Sequence, residues 1–250
     1  ELTLPGFHHD VCSAVHPLAF MSSFFRNFGL RDRVEFVTPE LSFAQPLDNG
    51  RAALAYRDLA RTRDALGIDG PAYERLLRPL VERVDAIAEF TGSSMVRMPA
   101  DPVAAMLLAL RSIEQGSPLW NTRFKADAAP ALITGAAAHS ILRQPGLAAA
   151  GAGLVLATYA HAGGWPIPVG GSQAIVNALA ADFVAHGGEI VTGHGIASIE
   201  ELPRARATLL NVTPRAFVAM ARSTMPAQYR RVLESFKYGS GAAKVDFALS

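Results

Sequence analysis

Two stretches of this sequence hold side chains that could do chemistry. The first, "HHDVCSAVH", gathers His8, His9, Asp10, Cys12 and His16 within nine residues. Imidazole, carboxylate and thiolate all bind zinc, so the residue types suit a metal. Their spacing matches no recognised ligand pattern, and no second cluster completes one. On an extended strand His8, Asp10 and Cys12 would share one face and His9 the other. No bound metal is expected. His16 is kept as a candidate catalytic group, with packing at a strand end as the rival reading. The second stretch, "VGGSQAI", runs from Val169 to Ile175 and opens a helix. Amides at a helix start could face an anion or a polar ligand. A plain glycine turn into a helix is the other reading.

Other chemistry lacks support. "GAGLVL" (Gly151 to Leu156) has two glycines of a dinucleotide fingerprint but sits inside a helical pattern. There is no P-loop and no G-x-S-x-G nucleophile turn. His139 and His161 lie in apolar helices and are expected to be core histidines. A hydrophobic helical block with many small residues could hold a large apolar ligand between its helices, or it could simply pack.

The elements that must position these groups follow from periodicity. Residues 1–56 look strand-rich, with Val34 to Val37 and Ala52 to Tyr56 as short apolar runs and Asp48-Asn49-Gly50 as a turn. Residues 57–164 look helical. Asp69-Gly70-Pro71 supplies a cap and a first-turn proline. From there Tyr73, Leu76, Leu77, Leu80, Val84 and Ile87 form one stripe of a helix expected to reach about Phe90. Asp101-Pro102 opens another helix, through Leu110, and residues 126–142 and 147–162 read as two more. In residues 165–250 an amphipathic helix spans Ser172 to His186 and ends at Gly187-Gly188. Glu189 to Val191, Ile196 to Ile199, Thr208 to Val212 and Ala243 to Leu249 read as strands, and helices follow Pro214 and Pro226. The fold class expected is α+β, a mixed sheet with a helical insertion.

Composition bounds the function. The chain has 250 residues, half of them hydrophobic, and a net charge of +1. No broad field favours nucleic acid. A single cysteine excludes an internal disulfide, and no secretory leader opens the chain, so a cytoplasmic location is expected. From Gln144 to Ala181 there is no charged residue. Its helical part is rich in Ala and Gly and stops at Gly163-Gly164, which favours a buried helix over a spanning one. Contact with a membrane surface stays open. The sequence starts without Met, in "ELTLPGF", as a piece of something longer or a processed chain would.

One pattern is more specific. "PVGGSQAIVNALA" (Pro168 to Ala180) is followed by "GGEI", by Ile196-x-x-Ile199 and by "LLNVTP" (Leu209 to Pro214). With the opening "LTLPGFHHDVCSAVHPL" and the late "YRRVLESFKYGSGAAKVDFAL", this order resembles the phytoene-dehydrogenase group of FAD-dependent oxidoreductases, related to amine oxidases. The resemblance covers essentially the whole chain. It implies the substrate-side portion of an FAD/NAD(P)-binding-type flavoprotein acting on an apolar, isoprenoid-like substrate. It implies that Val169, Gly170, Gly171, Ser172 and Gln173 lie beside the substrate cavity. It also implies that Ile196, on a strand, and Thr213 and Pro214 lie near FAD, and that a strand through His16 and Pro17 passes the flavin side. The N-terminal glycine fingerprint and the late FAD segment of that group do not appear, so weak or no FAD binding is expected of these residues alone. A non-catalytic module that binds an apolar ligand or a partner chain is the alternative. Exposed apolar surface makes self-association a further expectation.

Overall fold

The computed structural model describes residues 3–94 and 96–249. It is an α+β structure with twelve α-helices and two separate antiparallel strand pairs among the described residues. The chain divides into two compact units, residues 1–182 with 243–250 and residues 183–242.

The first unit opens irregularly and then forms α1 (Pro17–Met21), α2 (Ser23–Phe28) and α3 (Leu30–Arg33). This corrects the expectation of a strand through His16 and Pro17; the strands of residues 1–56 lie in their second half. Pro17 takes the first helical position, where its missing N–H costs nothing. The Ser22 side chain caps α2, and Gly29, left-handed at φ 67°, ends it. Strands β1 (Phe36–Val37), β2 (Leu41–Pro46) and β3 (Ala52–Tyr56) follow. β2 and β3 form a hairpin with Leu41 opposite Tyr56 and Pro46 opposite Ala52. Its turn uses positive φ at Asn49 and Gly50, as the Asp-Asn-Gly sequence demands.

The helical block comprises α4 (Leu59–Ala65), α5 (Gly70–Val81), α6 (Val84–Thr91), α7 (Pro102–Gln115), α8 (Ala128–Ala138) and α9 (Leu147–Ala162). The single stripe expected to reach Phe90 is broken after Val81. Pro79 lies inside α5 and leaves the Arg75 carbonyl without its helical donor. Nη2 of Arg111 donates to that carbonyl from α7 at 3.5 Å. α7 runs past Leu110 to Gln115. Tyr73, Leu76, Leu77, Leu80 and Ile87 are fully buried with Leu132, Leu154 and Ala157, so the apolar stripe does face one core. α9 is a buried helix packed through small residues. A Cβ on Gly153 would stand 2.7 Å from that of Ala137 on α8. Among the described residues no helix is long and apolar enough to cross a membrane.

β4 (Ile167–Pro168) pairs antiparallel with β1, and α10 (Gln173–Ala185) follows. Both sheets are two-stranded and antiparallel, which corrects the mixed sheet. The second unit holds α11 (Pro214–Ala221) and α12 (Ala227–Glu234) around Val218, Ala221 and Met225. The strands expected at 189–191, 196–199, 208–212 and 243–249 do not form. A strand needs a neighbour to pair its N–H and C=O groups, and these runs have none among the described residues. Several of their side chains stay in solvent, Leu209 96% exposed and Phe247 74%, while Ile199 packs on the Val218 cluster.

Candidate functional site

The site is built by the return of the chain between α9 and α10. After Ala162 the chain reverses at Gly164, whose φ is 77°. Trp165 and Pro166 are buried directly behind it. Trp165 stacks on Phe43 at 4.6 Å between centroids and donates its indole N–H to the Leu156 carbonyl at 3.3 Å. β4 then pairs with β1, and Gly170 and Gly171 turn the chain with φ of 82° and 80°. Only glycine takes that conformation readily twice in succession. Gly170 faces open space, whereas a Cβ on Gly171 would come within 3.3 Å of the Asp10 carboxylate.

This turn meets the first cluster of the sequence. The Ser172 amide donates to the Asp10 carboxylate, with 3.0 Å to each oxygen. The anion at the start of α10 is therefore the chain's own Asp10. His16 is held twice: its amide donates to the Pro166 carbonyl at 2.9 Å, and its Nε2 lies 2.7 Å from Ser172 Oγ. The Ser172 hydroxyl donates in turn to the Ser13 carbonyl at 2.5 Å. Burial pushes the His16 imidazole below its ordinary pKa, partly offset by the negative charge of Asp10.

These contacts fix the protons. A hydroxyl has one proton to give. Ser172 gives it to Ser13, so its oxygen accepts from His16, and the proton of the neutral ring sits on Nε2. A serine nucleophile needs the reverse, a histidine lone pair facing its hydroxyl. The pair is thus not arranged for acyl transfer.

Behind this pair lies a cavity of about 530 Å³. Its walls are largely apolar: Val15, Pro17, Leu18, Phe25, Leu156, Trp165, Ile175 and Val176, with Ser13, His16, His139 and Ser172 as the polar members. No Asp, Glu, Lys or Arg lines it. Of the five residues expected beside a substrate, Ser172 lines the cavity. Val169 extends the strand pairing through its amide and the Glu35 carbonyl at 2.9 Å, and is exposed. Gln173 is exposed and donates to Asn177. The sequence reading missed Trp165 and His139. The signal for Trp165 was present, an aromatic set between Gly164 and Pro166.

Both histidines of the apolar helices can now be placed. His161 is buried and shares a 3.0 Å hydrogen bond with the Tyr73 hydroxyl, as a core histidine should. His139 is exposed at the end of α8, edge-on to Trp165 at 5.5 Å, so it lines the cavity instead of the core. Of the first cluster, His9 Nε2 lies 2.6 Å from Thr3 Oγ1, and Cys12 is exposed. Among the described residues no three His, Cys, Asp or Glu side chains converge on a point where a metal could sit.

The three residues expected near FAD all lie in the second unit. Ile196 is in irregular chain and not on a strand. Thr213 caps α11, accepting from the Ala216 amide at 3.3 Å, and Pro214 begins that helix. The Arg215 amide donates to the Tyr238 hydroxyl at 3.1 Å. A diphosphate needs free amides at a glycine-rich helix start. The Ser172, Arg215 and Ala216 amides already have partners in the protein. These residues do not fit the diphosphate of FAD, while the cavity is walled mainly by apolar side chains. No family, no curated protein and no solved structure matches this chain.

Proposed function

We propose that the cavity beside His16 and Ser172 is the binding site for an apolar small molecule, in the substrate-side portion of an FAD-dependent oxidoreductase. The observation that carries this reading is the meeting of residues 13–19 with residues 165–176 around one apolar space. These overlap two of the segments whose motifs resemble the phytoene-dehydrogenase group, Leu2 to Leu18 and Pro168 to Ala180. Ligand sites are characteristically concave and apolar with few polar groups, and a volume of about 530 Å³ lies in their usual range. A flavin would supply the redox chemistry. The residues here would orient the substrate, exclude water and hold a proton on His16 Nε2. A cytoplasmic location and self-association belong to the same reading.

The test is the absorption spectrum of the natural polypeptide that contains these residues. Visible flavin bands that bleach anaerobically on adding an apolar substrate support the reading. A polypeptide that carries no flavin and takes up none when supplied with FAD sinks the oxidoreductase. A second reading, an apolar-ligand binder without catalysis, is favoured by one observation: the Ser172, Arg215 and Ala216 amides, which a cofactor diphosphate would need free, already have partners in the protein. It predicts bound lipid and no flavin after native purification.

A further inference from the structure

We infer that the molecule bound in this cavity is neutral and carries an O–H or N–H group, and that His16 Nδ1 accepts the hydrogen bond from that group. The inference rests on the reading of the cavity as a ligand site and names what the site selects.

The argument counts donors and acceptors around the cavity. The Ser13 hydroxyl donates to the Val15 carbonyl at 2.9 Å. The Ser172 hydroxyl donates to the Ser13 carbonyl. The proton of the His16 ring is on Nε2 and is given to Ser172 Oγ. These three protons are therefore spent within the protein, and the ring of His139, the fourth polar member, is exposed at the end of α8, where water serves its N–H. What the same side chains still offer is lone pairs, and the strongest acceptor among them is the unprotonated imidazole nitrogen Nδ1. Nδ1 makes no hydrogen bond among the described residues, and it is not sealed from solvent. His16 lines the cavity, and its desolvation keeps the ring neutral. With no Lys or Arg in the lining, a carboxylate would lose its hydration without gaining a countercharge. An ether or ester, which only accepts, would set its oxygen against lone pairs. An alcohol or amide N–H on an apolar body satisfies Nδ1 and the walls together.

Three probes of one chain length separate these cases: decanol, its methyl ether and decanoate, titrated calorimetrically against the full chain at neutral pH. Decanol is expected to bind roughly threefold to tenfold tighter than the ether, the size of one net hydrogen bond, with decanoate weakest. His16→Phe removes the acceptor and should bring decanol and ether to equal affinity. Ser172→Ala is the second variant. It releases the ring to carry its proton on Nδ1, so the ether should gain on decanol while the fold is kept. Equal binding of decanol and ether by the native protein overturns the inference and leaves the cavity reading standing. So does a preference that survives both substitutions, or decanoate binding tightest. If none of the three probes binds, the cavity reading fails and takes the inference with it.

Discussion

The carboxylate of Asp10 holds the first turn of α10: both of its oxygens lie 3.0 Å from the amide nitrogen of Ser172. Residues 162 positions apart are thereby joined at the point where the hydroxyl of Ser172 orients His16. Asp10 is in effect a helix cap supplied from a distant segment. Asp10→Ala should cost roughly 1 kcal/mol, as loss of a cap does. Asp10→Asn, which keeps one acceptor oxygen, should cost less. Urea denaturation of the two variants beside the native protein checks the order. Equal stability of all three would show that the contact contributes nothing.

The glycine pair offers a graded test of the same turn. An alanine at either position must adopt a left-handed backbone, which costs roughly 1 kcal/mol or more. At Gly170 that is the whole penalty, because nothing lies within 4 Å of the added carbon. At Gly171 the new methyl also meets the Asp10 carboxylate at 3.3 Å. Gly171→Ala should therefore be the more destabilising, and it should weaken decanol binding as the Ser172 contact shifts. A reversed order in the denaturant midpoints would contradict the geometry.

Much of this site was legible in the sequence, though not its wiring. Gly170-Gly171 before an apolar helical stripe marked the turn, and the acidic and imidazole groups of residues 8–16 marked the other half. That the two halves meet is a tertiary fact, since the Asp10–Ser172 contact leaves no trace in local spacing. The Ala52–Tyr56 strand and the Leu147–Ala162 helix match their expected bounds, because each is set by local turn residues and by burial on one core. Runs such as Leu209-Leu210 carry strand composition but lack a neighbouring strand. β-propensity describes fit to a sheet that must already exist. The reading of Pro17–Arg33 failed for a different reason. Helices of four to six residues show too few turns for a 3.6-residue period to emerge.

His161 gives the fold a pH dependence whose sign can be worked out. Burial lowers its pKa from an ordinary 6.5 to about 4, against partial opposition from the backbone of Tyr56 and Arg57 and from Asp58. The backbone influence is weak in structural terms, since Nδ1 makes no contact of hydrogen-bond geometry. The folded pKa lies below the unfolded one, so between pH 6.5 and about 4 the unfolded chain binds the extra proton. Stability is full above 6.5 and falls with acidification through that window. The total loss is on the order of 3 kcal/mol, and it levels off below the folded pKa. Urea midpoints measured across the window should decline accordingly. Replacing both partners, Tyr73→Phe with His161→Phe, should flatten the decline without leaving an unpaired polar atom. An unchanged slope in that double variant would assign the effect to other groups.

Two glycines in α9 should respond to alanine with opposite signs. Gly153 lies where α9 meets α8, and a Cβ there would be 2.7–2.8 Å from the Cβ, Cα and N of Ala137. Two of those atoms are backbone, so the helices must separate, at a cost of roughly 1–3 kcal/mol for overpacking. Gly151, half a turn earlier, would place its Cβ 3.5 Å from Ser112 Oγ, an ordinary contact. There the gain in helix propensity, up to about 1 kcal/mol, should dominate. Thermal unfolding of the two variants reads the difference directly. Stabilisation by both would mean that α8 and α9 pack more loosely than the Gly153–Ala137 approach requires. Destabilisation by both would mean that Gly151 also sits against a neighbour.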